Sequence, residues 1–233
     1  MQIKTDVRHA QVNKPFLRIP VMDFDLQAIF TDPGILSLIL FALCFAITTF
    51  TSRKGFVKGH TARAVRAEYR RSWAESVVRN GDRESALSVF RNNILVSSTI
   101  LGGLVIAVGL VANAAVAAES DSFSLHMIFI IILMTYAIFS ILMEIRALTY
   151  LPILLGTSGK LIEKNEKITK EEYISKLLDN TYDDFSDAIR ALFFMIALLV
   201  FSFDKILFIA VTISLTYLFV RRDLSEKSRI EIF

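Results

Sequence analysis

The chain has a single cysteine among 233 residues, so no intrachain disulfide can form. Cys44 lies in an uncharged run with none of the zinc-ligand spacings near it, which fits a small buried apolar residue. The three histidines, His9, His60 and His126, are spread along the chain and do not cluster. No H-E-x-x-H, G-x-S-x-G or G-x-x-x-x-G-K-[ST] motif occurs. These absences point away from a catalytic centre, a cofactor and a metal site. A cleavable leader is also missing from the expected organisation, because the first 28 residues carry Lys4, Arg8, Lys14, Arg18 and three aspartates without an apolar centre. There is no internal repeat and no low-complexity segment.

What the chain has in excess is apolar sequence. Hydrophobic residues make up 54% of it, including 19 Phe, against about 45–50% in an ordinary soluble domain. Several runs are uncharged over a length that crosses a hydrocarbon core of about 30 Å. The longest, Ile94 to Ala118, stands out as the element around which the others are expected to pack. The formal charge of +3 does not argue for nucleic acid, because the basic residues flank apolar spans, where topology accounts for them.

In chain order, residues 1–30 are polar and mixed, with a short interfacial helix expected near Ile19 to Ile29. Thr31-Asp32-Pro33 then reads as a helix start, with a capping side chain and proline in the first turn. A basic segment from Arg53 to Arg91 follows the first span. Within it, residues 60–79 form an expected helix in which Val65, Tyr69, Trp73 and Val77 recur every four positions. Asn80-Gly81 breaks that helix, and Asp82 can cap one that runs into the central span. The third span ends near Glu144 and Arg146, with Pro152 and Gly156 closing it. Residues 160–187 are polar, with a helix expected around Lys170 to Leu178.

Ala191 to Val220 contains Asp204-Lys205 at its middle. As one helix it would place two charges at mid-membrane, at a cost of about 2.5–3.5 kcal/mol each. A hairpin avoids this and puts Arg221, Arg222, Lys227 and Arg229 on the same side as the basic 52–93 segment, as the positive-inside rule requires. The expected fold is therefore an all-α integral membrane protein with about five transmembrane helices, near 33–51, 93–118, 123–147, 187–203 and 205–221. The N-terminus lies outside and the C-terminus inside. The expected divisions are a polar segment 1–30, a membrane domain 31–222 with cytosolic inserts 52–92 and 152–187, and a cytosolic tail 223–233.

Three groups of residues invite a role. Arg91, Arg146 and Arg190 lie at the cytosolic ends of spans with Glu144 and Asp187 nearby. They make either a charged girdle that clamps helices or binds an anionic headgroup, or ordinary interfacial anchors. Of these, Arg91 and Arg146 have the longer spans behind them and are the expected interhelical partners. Ser98-x-x-x-Gly102 and Gly103-x-x-x-Ala107 on the central span suit close helix packing, expected within the chain. The helix carrying Val65, Tyr69, Arg70, Arg71 and Trp73 suits a membrane surface or a partner helix. His126 with the acids of the 119–121 loop makes a weak candidate for an outward metal site, and a solvated loop is the expectation.

The run RRSWAESVV, then VFRNNILVSSTILGGLVI, resembles the signature of the membrane-protein family known as domain of unknown function 599, through Arg70 or Arg71, Trp73, Arg91, Asn92 and Ser97-Ser98. IRALTYLPILLG, with Arg146 and Tyr150, is similar to the family's stretch after the next span, and DFSDAIRALFF, with Arg190, Phe193 and Phe194, to its segment before the final hairpin. Two departures stand out. Asp187-Ala188-Ile189 lacks a glycine before the arginine, and Phe203-Asp204-Lys205 replaces an aromatic-Gly-Pro turn. The resemblance implies a helical integral membrane protein and no particular chemistry.

The expected function is a non-catalytic structural or accessory subunit of a membrane assembly in the cell membrane. Its partners would be the bilayer, other copies or other membrane subunits, with anionic lipid headgroups possible and nucleic acid excluded. A small oligomeric channel or transporter is the alternative. An intramembrane enzyme using Glu144, His126 or Asp204 ranks third, because that topology puts His126 and Glu144 at opposite depths.

Overall fold

The computed structural model describes residues 33–53, 62–116 and 121–224. Seven helices and no strand occur among them: α1 (Pro33–Arg53), α2 (Ala62–Asn80), α3 (Arg83–Val116), α4 (Asp121–Gly156), α5 (Gly159–Glu166), α6 (Lys170–Phe201) and α7 (Lys205–Leu224). Three are long and apolar enough to cross a membrane, over Pro33–Thr51, Arg83–Ala115 and His126–Gly156. The chain is thus all-α with membrane-compatible helices. The segment near Ile19 to Ile29, the capping pair Thr31-Asp32, the acid Glu119 and the basic residues Lys227 and Arg229 lie outside the described residues.

The axis of the molecule is the pair α4 and α6, which run antiparallel along almost their whole length. His126 Nε2 meets the Leu198 carbonyl at 2.6 Å near one end. The Tyr136 hydroxyl donates to Asp187 at 3.2 Å in the middle, and Lys170 Nζ donates to the Leu155 carbonyl at 2.9 Å at the other end. Two hydrophobic cores are strung along this axis. One joins Leu38 and Phe41 of α1, Leu104 of α3, Leu133, Ala137 and Ile141 of α4, Phe194 and Leu198 of α6 and Phe208 of α7. We call it the bundle. The other, the cap, joins Ala74 and Val77 of α2, Ala86 and Phe90 of α3, Leu148, Leu151 and Leu155 of α4, Ile162 of α5 and Ile174 and Leu178 of α6.

Several boundaries differ from those the sequence suggests. Helix α4 continues through Pro152 to Gly156. An interior proline loses its bond to the carbonyl four residues back and crowds that carbonyl, at about 3 kcal/mol, and the leucines around Pro152, committed to the cap core, offset that cost. The segment expected as a span from 187 belongs to a helix that starts at Lys170. There Thr169 accepts from the Glu172 amide at 3.2 Å and caps the first turn. Helix α3 likewise begins at Arg83, where Asp82 Oδ1 accepts from the Ser85 amide at 3.3 Å. Gly81, between α2 and α3, has φ +70°, a conformation that favours glycine.

Ala191 to Val220 is two helices. Ser202, Phe203 and Asp204 turn the chain, and Asp204 Oδ1 accepts from the Leu207 amide at 2.7 Å, capping α7. Phe201 meets Phe208 with ring centroids 5.2 Å apart, and Phe194 meets Phe219 at 6.2 Å, so the arms are antiparallel. The aspartate thus serves as cap at the turn where the resemblance would put glycine and proline.

The central span does not organise the molecule. Only 11% of the most apolar stretch of α3 is buried, against 39% for α4. Its buried positions, Ser97 and Leu104, fall seven apart on one narrow stripe against α4. Length and lack of charge made α3 conspicuous, but both are properties of a lipid-facing helix as much as of a central one.

Candidate functional site: a buried arginine between three helices

Arg190 is the best-buried arginine among the described residues, at 2% exposure. It sits about 16 Å along α6 from the hairpin turn, at 1.5 Å per residue. Its Nη1 donates to Asp187 Oδ1 at 2.8 Å, one turn back on α6. Its Nη2 donates to Asp223 Oδ2 at 2.7 Å on α7. The other oxygen of Asp187 accepts from the Tyr136 hydroxyl of α4. One guanidinium thus ties α6 to α7, and through Asp187 to α4. Removing charges from water is costly, and only well-formed bonds repay it. Asp187 and Asp223 are both buried, at 2% and 8% exposure. The Arg190 Nε–H has no partner.

A second buried polar pair lies on α4, about 12 Å nearer the cap by helical rise. Glu144, 4% exposed, accepts from Ser97 of α3, whose Oγ is 2.9 Å from both carboxylate oxygens. This bond is the polar contact between α3 and the axis, and it forms where α3 leaves the cap and enters the bundle.

The residues of the expected girdle therefore separate. Arg190 with Asp187 forms one cluster and Glu144 another, while Arg91 and Arg146 are exposed and make no ion pair among the described residues. The interhelical pairing falls to Arg190, which packs inside the α6–α7 hairpin, whereas Arg91 and Arg146 project from outward faces of α3 and α4. On α3, Ser98, Gly102 and Gly103 face outward, and a Cβ added at either glycine would meet nothing within 4 Å among the described residues. Ala107 alone of that set packs against the bundle core. Among the described residues, Ser98, Gly102 and Gly103 of α3 are not used for packing within the chain.

Helix α2 turns inward the end of the stripe its spacing suggests, Trp73 and Val77, and leaves Tyr69 outside it. Ala74 and Val77 are buried and Trp73 packs edge-on to Phe90 at 6.0 Å, while Val65 is half-buried and Tyr69 is 64% exposed. Arg70 joins the inward side, with Nε 2.6 Å from Asp179 of α6 and its guanidinium 5.2 Å from the Tyr182 ring centroid. Arg71 makes a surface pair with Glu75 one turn on. His126 is buried between Leu198 and Phe201, away from solvent, contrary to the expected solvated loop. Among the described residues no cluster of three or more His, Cys, Asp or Glu could hold a metal ion.

Tyr136 and Asp223 carried no signal of their own in the sequence. Asp223 was legible only indirectly: once the hairpin is drawn, its return arm brings an acid opposite Arg190. The residues matched by a family model run from 35 to 228, most of the chain, and the family is described as a protein of unknown function, DUF599. The chain belongs to the DUF599 family. Arg190, Asp187, Asp223, Tyr136, Glu144 and Ser97 all lie inside the DUF599 match. No curated protein and no solved structure matches this DUF599 chain.

Proposed function

We propose that this DUF599 protein is a five-pass, non-catalytic component of the cell membrane that works by assembling with other copies of itself or with other membrane subunits through α3. The α6–α7 hairpin supplies the fourth and fifth passes. The cap lies in the cytosol, since the basic residues of α2 and the end of α7 gather at that end. The observation that carries the assembly reading is the unpartnered face of α3. Ser98, Gly102 and Gly109 fall on one side of the helix at about 100° per residue, and a Cβ added at either glycine would meet no other part of the described residues within 4 Å. Small residues in a membrane helix favour close approach of a second backbone.

Disulfide trapping tests this cleanly, because Cys44 is the one native cysteine and is buried. With Cys44 replaced by Ala, Ser98→Cys should crosslink in native membranes, to a dimer or to a discrete larger species. Ile132→Cys, on the exposed side of α4, should not. Equal crosslinking at the two positions, or none at Ser98→Cys, would sink the assembly reading.

One observation favours a second reading, a small oligomeric channel or transporter. Glu144 is an ionisable residue buried within an apolar helix, which is costly in lipid and commonly tied to ion movement. Proton or cation flux into liposomes that disappears in Glu144→Gln would favour transport over scaffolding.

A further inference from the structure

Beside Arg190, at the end of the bundle facing the cap, is a cavity of about 380 Å³ between α2, α6 and α7. Four arginines line it, Arg66, Arg70, Arg190 and Arg222, together with Asp183, Asp223 and the apolar Phe185 and Ile189. We propose that this cavity holds the phosphate of an acidic phospholipid, with the acyl chains running along α6 toward the hairpin turn. The proposal does not rest on assembly through α3.

Net charge alone does not decide the ligand, because aspartates accompany the arginines. The balance of hydrogen-bond donors and acceptors does. The carboxylates in and beside the cavity are already engaged: Asp223 accepts from Arg190, Asp183 has an interaction of its own, and next to the cavity Asp187 accepts from Arg190 and Tyr136 and Asp179 from Arg70. The guanidiniums of Arg190, Arg70 and Arg222 are not used up. Each carries five N–H donors. Arg190 Nε is buried without a partner. Arg70 spends only its Nε on Asp179. Arg222 reaches Asp223 only at 3.7 Å, and its guanidinium otherwise stands over the Phe219 ring at 5.5 Å. A site whose arginines keep donors beyond those spent on its carboxylates suits an acceptor-rich anion, and phosphate is bound by arginine in paired N–H bonds.

The surroundings select a lipid over a free anion. From the cavity wall at Ser186 and Ile189, steps of four and three residues along α6 lead to Phe193 and Ile196, which are 44% and 56% exposed. That spacing keeps one face of the helix. An apolar track therefore leaves the arginine cluster and climbs the outside of the bundle. Arg66 and Arg70 come from α2, in the cap, so the charged part of the site lies where headgroups lie and the apolar part where acyl chains lie.

The test uses the full chain in nanodiscs of phosphatidylcholine with or without phosphatidylglycerol, read by native mass spectrometry for retained lipid and by melting temperature. Wild type should retain one phosphatidylglycerol and melt higher when it is present. Arg222→Gln, at a half-exposed residue outside the packed core, should lose retention by about tenfold, in line with a hydrogen bond to a charged group. Arg222→Lys should recover part of it, and Arg66→Gln provides a second lesion should Arg222→Gln fold poorly. Arg91→Gln, an exposed arginine away from the cavity, should retain lipid like wild type. Equal retention of the two lipids by wild type, or equal loss in Arg91→Gln and Arg222→Gln, would overturn the proposal. Stabilisation by inorganic phosphate without any preference between the lipids would assign the cavity to a soluble anion and overturn it as well.

Discussion

The bundle and the cap share three helices, α3, α4 and α6, and are held by different means. In the bundle, aromatic rings fill the space between α1, α4, α6 and α7: Phe41 meets Phe194 edge-on at 5.5 Å and Phe208 at 5.6 Å, and Phe45 meets Tyr136 at 5.7 Å. In the cap, leucines and alanines pack, and charged pairs such as Arg70–Asp179 close the surface. On the proposed membrane placement the contrast follows from the solvent. Burying apolar area from water would drive the cap together, whereas lipid is as apolar as leucine and would leave ring packing and buried polar bonds to hold helices in the bundle. Arg190 and Glu144 are such bonds, and both lie toward the cap end of the bundle.

The largest effect is expected where the polar bonds are densest. Arg190→Ala leaves Asp187 and Asp223 buried without their cation, a loss of about 3–5 kcal/mol. Melting in mild detergent should fall well below wild type, and loss of α6–α7 contact should appear as deprotection of α7 amides in hydrogen exchange. Leu151→Ala opens a cavity in the cap core, at about 2–5 kcal/mol. Its exchange signature should stay in α2, α5 and the first turns of α6 and spare α1 and α7. Spread of that signature through the bundle would mean that the two regions are one cooperative unit.

Smaller changes sharpen the contrast. Ser97→Ala removes the donor to Glu144 and should cost about 1–3 kcal/mol, with α3 loosening first. Lys170 bonds the Leu155 and Thr157 carbonyls at the end of α4, at 2.9 and 2.8 Å, and Lys170→Met should cost about 1 kcal/mol. Burial, and then the charge of Arg83, hold the Lys170 ammonium below its ordinary value of 10.5. The unfolded chain therefore binds that proton more tightly, and this lysine's contribution to stability rises as pH increases toward 10.5. Titrated against wild type, Lys170→Met should lack that alkaline gain.

Much of the architecture could be read from the residues. The break at Asn80-Gly81, the cap at Asp82 and the turn at Asp204-Lys205 are local signals, and each sits where its chemistry puts it. The packing order could not be read. Which uncharged helix is central depends on which faces meet, and α3 shows a full-length apolar run precisely because most of it faces outward. Tyr69 misled for a related reason: an i+4 repeat marks a stripe, and Trp73 and Val77 do turn inward, but Arg70, bonded to Asp179, and Ala74 take the place beside them that Tyr69 was expected to fill. Arg190 was picked out by its position at a span end, while its partner Asp223 becomes visible only after the hairpin folds back.

Accessibility of the hairpin turn relative to the cap tests the central claim most directly. In a Cys44→Ala background, Phe203→Cys at the turn and Lys164→Cys in α5 would be labelled with a membrane-impermeant thiol reagent, in intact cells and in inverted vesicles. The account predicts labelling of Phe203→Cys only in cells and of Lys164→Cys only in inverted vesicles. Labelling of both from the same face would contradict it, since α6 and α7 would then not cross the membrane.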